Sequence, residues 1–296
     1  MAHDKDNYLL WQGTVRELSL PEQLRVARET GFGKISITPL HVTKWKEAEG
    51  WSAKDMLAMA ADEGVKLAHL DPLTRWAPKW KPDNVAEEFF PFLGFSVDDF
   101  MKLAEEFQVE SMSTICCFPA GTVNSVQLTE AFASICDRAA KIGVRCDLEF
   151  IPFWGLFDLN MAWAVVRDAG KDNSGIVFDY WHFMRGNPDL DLLATIPGEK
   201  ISSVQLADAP LTYPEDRSAP DDCLNWRVPC GEGEFPVTEI TKTLGKIGGM
   251  KNVGPEIFSS KFDAMSADEI IASIRDFFPR ALEQAGQLNG YSAQAV

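Results

Sequence analysis

The chain is poor in positive charge. It has 28 Lys and Arg against 44 Asp and Glu, a net charge of −16 over 296 residues. Nucleic acid and anionic membrane faces are therefore not expected partners, although a local basic pocket for one phosphate stays compatible with that balance. No segment approaches the roughly 18 apolar residues of a membrane span. The amino terminus, MAHDKDNYLLWQG, has neither the apolar run nor the small-residue cleavage site of a secretory signal. The six cysteines (Cys116, Cys117, Cys136, Cys146, Cys223 and Cys230) form no C-x-x-C pair, so a zinc ribbon is unsupported. Cys116, Cys117 and Cys146 fall in strand-like apolar runs and read as buried thiols, which fits a reducing cytoplasm. No G-x-G-x-x-G turn follows the first strand candidate, which weakens a dinucleotide-binding reading. Histidine is scarce too. Apart from His3 there are only His41, His69 and His182, each at or just beyond the carboxyl end of a strand candidate, a distribution packing explains poorly.

What is present is a repeated alternation of short β-rich runs and amphipathic helices. Strands are expected at 8–13, 34–40, 65–71, 111–118, 144–150, 174–179, 201–207 and 252–258. Helices are expected over 20–30, 52–63, 96–108, 126–142, 160–169, 237–246 and 267–284, with a short one around 189–196. Ser52 and Ser266 read as caps, and Gly31, Gly64, Gly143 and Gly170 as helix stops. Eight βα units in a chain of this length point to a (β/α)₈ TIM barrel. With 46% hydrophobic and 24% charged residues and no composition break, one domain is expected, its core spanning about residues 8–285 before a short carboxyl-terminal tail.

Four of the later strand candidates end on a metal-competent side chain: Glu149 in DLEFIPF, Asp179 in VFDYWHF, Gln205 in SVQLADAP and Glu256 in VGPEIFSS. Matching ends of neighbouring parallel strands can converge on one point. Two Glu, one Asp and an amide oxygen make a hard site suited to Mn²⁺ or Mg²⁺. Each residue also has an ordinary reading. Glu149 taken alone reads as an ion-paired strand end, Gln205 also as a hydrogen-bond partner of Glu149 or Asp179, and Glu256 also as a partner of Lys251 or Lys261. Gly254 and Pro255 suggest a strand constrained by the close approach of a ligand or metal.

Two connections are long, and both follow strands: 72–95, rich in Trp and Phe and including Trp80, and 209–235, rich in Pro, Asp and Gly. On a barrel they would form walls or lids at the catalytic face. Arg227, just before the turn CGEGEF, can grip a hydroxyl, carboxylate or phosphate, or else pair with Asp221 or Asp222.

The segments LEFIPF, FDYWH, QLADA, R-x-x-C-G-E-G and PEIFSS resemble those of the xylose-isomerase-like barrels, over about residues 8–278. That family includes sugar-phosphate isomerases and epimerases, ketose epimerases, inosose dehydratase and endonuclease IV. The resemblance implies that Glu149, Asp179 and Glu256 are metal ligands. Gln205 stands where many members have His, and Cys230 replaces the usual Pro after Arg227. His182 matches a histidine that lies beside the metal ligands or touches substrate, and Arg227 matches the family Arg.

The expected activity is that of a metal-dependent isomerase or epimerase of a polyhydroxy carbonyl compound. Glu149, Glu256 and His182 are the expected catalytic groups, and Arg227, His69, His41 and Trp80 the expected substrate contacts. A lyase or dehydratase could use the same site on a keto-sugar, an inosose, a dehydroshikimate-like ring or a 3-keto glycoside. A barrel without chemistry is the third reading, kept by Gln205. The expected partner is that small molecule, neither nucleic acid nor membrane, with a homo-oligomer left open.

Overall fold

The computed structural model describes residues 5–85, 87–284 and 286. The expected carboxyl-terminal tail and His3 lie outside them. Eight strands form one sheet in sequence order: β1 (Leu9–Leu10), β2 (Lys34–Ile37), β3 (Lys66–Leu73), β4 (Ser111–Ile115), β5 (Arg145–Glu149), β6 (Ser174–Asp179), β7 (Ile201–Leu206) and β8 (Val253–Pro255). Every neighbouring pair is parallel. A parallel bridge between Tyr8 and Val253 brings the last strand back to the first and nearly closes the barrel. All eight expected strands are present, so the TIM barrel expected from the alternation is the fold observed.

Closure explains a glycine that the sequence reading assigned to a ligand. A Cβ on Gly254 would lie 1.7 Å from the carbonyl oxygen of Leu9. What approaches closely is therefore the backbone of β1.

The helices pack outside the sheet through their apolar stripes. Leu20, Leu24 and Ala27 are buried from one helix, Phe132, Ile135 and Cys136 from another, and Ile240 and Leu244 from a third. Both expected caps form. Ser52 Oγ accepts from the Asp55 amide at 3.2 Å, and the Ser266 amide donates to Glu269 at 2.8 Å. Gly31, Gly64, Gly143 and Gly170 all take positive φ, as helix stops require. The six cysteines are free and buried.

Several short helices were not expected. Pro39–Ala48 follows β2 directly, with Thr38 accepting from the His41 amide and Pro39 supplying a ready-made first-turn φ. Tyr180–Arg185 begins at Asp179 itself, and Ser260–Asp263 follows β8. The two long connections also contain helices, Phe90–Leu93 and Ala219–Asn225. Their aromatic and Pro/Asp-rich composition reads as loop because no window is long enough to show a 3.6-residue period.

The barrel interior is unusually polar. Trp11 donates from Nε1 to the Val204 carbonyl at 3.3 Å and, among the described residues, forms a small apolar cluster with Leu9 and Val177. Gly254→Ala would push a methyl group into backbone that cannot rotate away. It should cost at least about 1–3 kcal/mol, read as a lowered urea midpoint. An unshifted midpoint would show that β1 can move off β8.

Candidate metal centre and its pocket

Period-two alternation directs Asp147 and Glu149 to the same, inward face of β5, and both are buried. Asp179 and Gln205 are register partners on β6 and β7, so their side chains emerge at one level. Asp179 caps the helix it precedes, accepting from the His182 amide at 2.7 Å. That cap turns the chain so that His182 Nε2 lies 3.3 Å from Glu149 Oε1. Glu149, Asp179 and His182 each bring one ligand atom within 4.8 Å of the others.

Glu256 sits beside this trio, with its Oε2 3.4 Å from Arg227 Nη1. Arg227 is fully buried. Its Nη1 lies 2.6 Å from Asp179 Oδ2, and its Nε donates to the Cys223 carbonyl at 3.0 Å. The expected alternative, pairing with Asp221 or Asp222, is not what forms. Asp222 instead binds Arg185 and Arg217, and Asp221 accepts from Asn225 and Trp226.

Sequence reasoning passed over Asp71. It lines the same pocket and accepts a hydrogen bond from Ser113. Its signal was available, since it closes its strand candidate as the four expected ligands close theirs.

Charge dominates this site. Burial, followed by the neighbouring Asp71 and Asp179, holds the Glu149 carboxyl well above its ordinary range. Burial likewise raises Glu256, with Glu149, Asp179 and Asp71 adding to it and Arg227 opposing. Asp71 is pushed up to about 6, first by burial and then by Asp179. Burial is again the largest influence on Asp179, but the charges of Arg227 and His182 and the hydrogen bonds from both together outweigh it and hold that carboxyl low. His182 is lowered to about 4 by burial, so near neutral pH it is an uncharged imidazole.

Four carboxyl groups thus face one guanidinium, and the excess negative charge must be met by protons or by a cation. Gln205 supports the cation. It is completely buried, and neither its Oε1 nor its Nε2 has a partner. An orphaned amide oxygen level with Asp179 fits a hard metal ion, as do the carboxylates.

The cavity above these groups has a volume of about 70 Å³. Its walls are mostly apolar, with Phe89 and Phe92 from the 72–95 connection and Cys223 and Leu224 from the 209–235 connection.

The expected substrate contacts are dispersed. Arg227 lines the pocket, and His41 lines an adjoining one. His69 does not lie at a strand end as expected. β3 runs on to Leu73, and His69 is buried inside the barrel with Nδ1 2.7 Å from Ser111 Oγ and its ring 4.9 Å from Trp11. Trp80 packs outside the central pocket, in the apolar cluster around Leu93 and Trp154, with the Arg75 guanidinium 5.0 Å from its ring.

Two outcomes follow from the electrostatics. Arg227→Ala leaves Asp179 buried without its partner and should cost about 3–5 kcal/mol of stability. A weaker substrate KM with an unchanged denaturation midpoint would contradict this. The pH effect has a definite sign. Glu149, Glu256 and Asp71 bind protons more tightly folded than unfolded, so their contribution is present below the unfolded value. It is lost as pH rises from about 4 through about 6 for Asp71, and further for the two Glu. Melting of the metal-free protein should fall over that window, and the rise in melting temperature produced by Mn²⁺ should grow with pH. An increment independent of pH would show that these carboxyls are not the ligands.

Comparison with known proteins identifies the fold and the family. The description of a xylose isomerase-like TIM barrel matches residues 24–280. A 3-dehydroshikimate dehydratase of Pseudomonas aeruginosa is 31% identical over 257 residues, covering 83% of this chain and 37% of that protein. An inosose isomerase of Bacillus licheniformis is 27% identical over 152 residues, covering 50% of this chain and 52% of that protein. The matches therefore span about a third to a half of the length of these relatives. Among solved structures, the IOLI protein with a bound zinc atom superposes with a TM-score of 0.79 at 18% identity, covering 97% of this chain and 100% of that one. An L-ribulose 3-epimerase gives a TM-score of 0.67 at 18% identity, covering 97% and 96%. At such identities the structural likeness speaks to the fold. With residues 24–280 matched, and the eight strand ends gathered as described, the chain belongs to the xylose isomerase-like TIM barrel family.

Proposed function

We propose that the protein is a divalent-metal-dependent enzyme that removes a proton α to the carbonyl of a polyhydroxy compound and acts as an isomerase or epimerase. One observation carries the reading. Three buried carboxyl groups, Glu149, Asp179 and Glu256, and the half-buried Asp71 stand with an unpartnered buried amide at or beside a pocket that Arg227 lines. Glu149, Asp179, Gln205 and Glu256 would hold the ion, Mn²⁺ or Mg²⁺, with His182 beside it. The ion supplies positive charge to the substrate oxygens that become more negative as the proton leaves.

The chain's own residues do the rest. Glu149 and Glu256 are the two carboxylates free to exchange a proton with substrate. One takes the α-hydrogen and the other returns it to the adjacent carbon or the opposite face. Neutral His182, 3.3 Å from Glu149, can carry a proton to or from a substrate hydroxyl. Arg227 holds Asp179 and Glu256 in place and presents its charge to the pocket. The two long connections exclude water.

A second outcome, β-elimination from the same enolate, is favoured by the aromatic walls of the pocket, which suit a flat or cyclic substrate. A relative named 3-dehydroshikimate dehydratase points the same way. In both outcomes the chemistry begins with the α-proton.

Glu149→Gln and Glu256→Gln should each lower turnover by about 10²–10⁴-fold with circular dichroism unchanged. Retained turnover with a lowered melting temperature would mean a structural carboxylate. Ketoses, inososes and 3-keto glycosides incubated with Mn²⁺ in D₂O separate the outcomes. An isomerase or epimerase returns α-deuterated substrate or product, and a dehydratase yields an unsaturated product with ultraviolet absorbance. A turned-over substrate that shows neither exchange nor an isotope effect at that carbon would exclude both.

A further inference from the structure

The central pocket is poorly suited to a simple sugar. Beyond its carboxyl groups, His182 and Arg227, its walls include Phe89, Phe92, Ile115, Ile151, Phe153 and Trp154, and a free polyol would leave its hydroxyls facing carbon on those sides. A second cavity opens next to it on the β1–β2 side of the mouth. The two share Asp71, Phe89, Phe92, Leu224 and Phe258, so they are neighbouring compartments divided by those side chains.

The second compartment has different chemistry. It is lined by Gln12, Arg16, Glu17, His41 and Lys44. Gln12 lies in the tight turn after β1, pinned by its backbone amide donating to Ser36 Oγ at 2.8 Å. Its side chain is 3% exposed, and Nε2 has no partner. A buried amide without a partner at a cavity wall implies a ligand group that supplies one.

The wall carries both signs of charge, Arg16 and Lys44 with Glu17 and the shared Asp71. Arg16 is held bidentately by Asp263 at 2.8 and 2.5 Å. Both His41 ring nitrogens are engaged, with Thr38 Oγ1 at 2.7 Å and the Arg16 carbonyl at 3.1 Å. Such a lining suits neutral hydroxyls better than a phosphate or carboxylate.

We infer that the site is bipartite and takes a substrate in which a flat apolar ring is joined to the polyhydroxy carbonyl part, as in an aryl glycoside oxidised to a ketone. This deepens the functional reading above and rests on it. The reacting carbonyl sits at the carboxyl groups, the ring lies against Phe92 and Trp154, and the far hydroxyls cross Asp71 to reach Gln12 and Lys44. Gln12 is then a specificity residue for the polyol end, and Phe92 for the ring.

The test uses probes that cannot turn over because they lack a ketone: phenyl β-D-glucopyranoside, phenol and methyl β-D-glucopyranoside. Each is titrated calorimetrically into the full chain with and without Mn²⁺. The phenyl glucoside should bind at least about tenfold more tightly than either half. Gln12→Leu should weaken both glucosides and leave phenol unchanged, and Phe92→Ala should weaken phenol and the phenyl glucoside and leave the methyl glucoside unchanged. Lys44→Ala, at an exposed helical position, repeats the Gln12 expectation without risk to the fold. The inference is overturned if the phenyl glucoside binds no better than the methyl glucoside, if it does not bind at all, or if neither polar substitution changes its affinity. Mn²⁺ uptake and α-deuterium exchange are read separately. Their loss with bipartite binding intact would bring down the functional reading alone, and intact exchange without bipartite binding would bring down this inference alone.

Discussion

Asp71, Glu149, Asp179 and Glu256 form one carboxyl cluster around Arg227, with Asp71 half-buried and the other three buried. Carboxylates removed from water repel one another strongly, and one guanidinium can satisfy only part of the set. Arg227 resolves it unevenly. It lies 2.6 Å from Asp179, which stays ionised, and 3.4 Å from Glu256, which does not share that protection. The remaining carboxyls are held near protonation or near a cation. A group poised between those two states is one that can exchange a proton with a bound molecule, so the instability of the site and its proposed chemistry have the same origin.

The scaffold makes that crowding tolerable. A parallel barrel directs the carboxyl ends of all its strands to one face, where side chains from β3, β5, β6, β7 and β8 meet. Below them the interior keeps polar groups such as His69, Ser111, Ser113 and Ser203 instead of the usual branched aliphatic layers. The apolar bulk lies between sheet and helices, where it stabilises the barrel regardless of what the centre binds.

The connections complete the site. Phe89 and Phe92 come from one long connection and Cys223 and Leu224 from another, each carried on a short helix or turn. They place carbon over a cluster of oxygen ligands. That contrast lowers the local dielectric around the carboxyl groups and selects against small, fully polar ligands.

The number and order of strands, the cap and stop residues and the four expected ligand positions follow from local pattern, because alternation, capping and strand ends are written within a few residues of one another. Asp71 had the same signature as those four and was legible in principle. Other features depended on contacts between segments far apart in the chain. Arg227 is joined to Asp179 across 48 residues, not to its sequence neighbours Asp221 and Asp222. Gly254 is required by the backbone of Leu9 at the other end of the chain. His69 is inside the barrel and Trp80 outside the pocket because strand length and loop packing, not residue type, set those depths. Sequence by itself determined which residue types stand at the strand ends. Only barrel closure decided which of them meet, because convergence depends on register and stagger between strands that are distant in sequence.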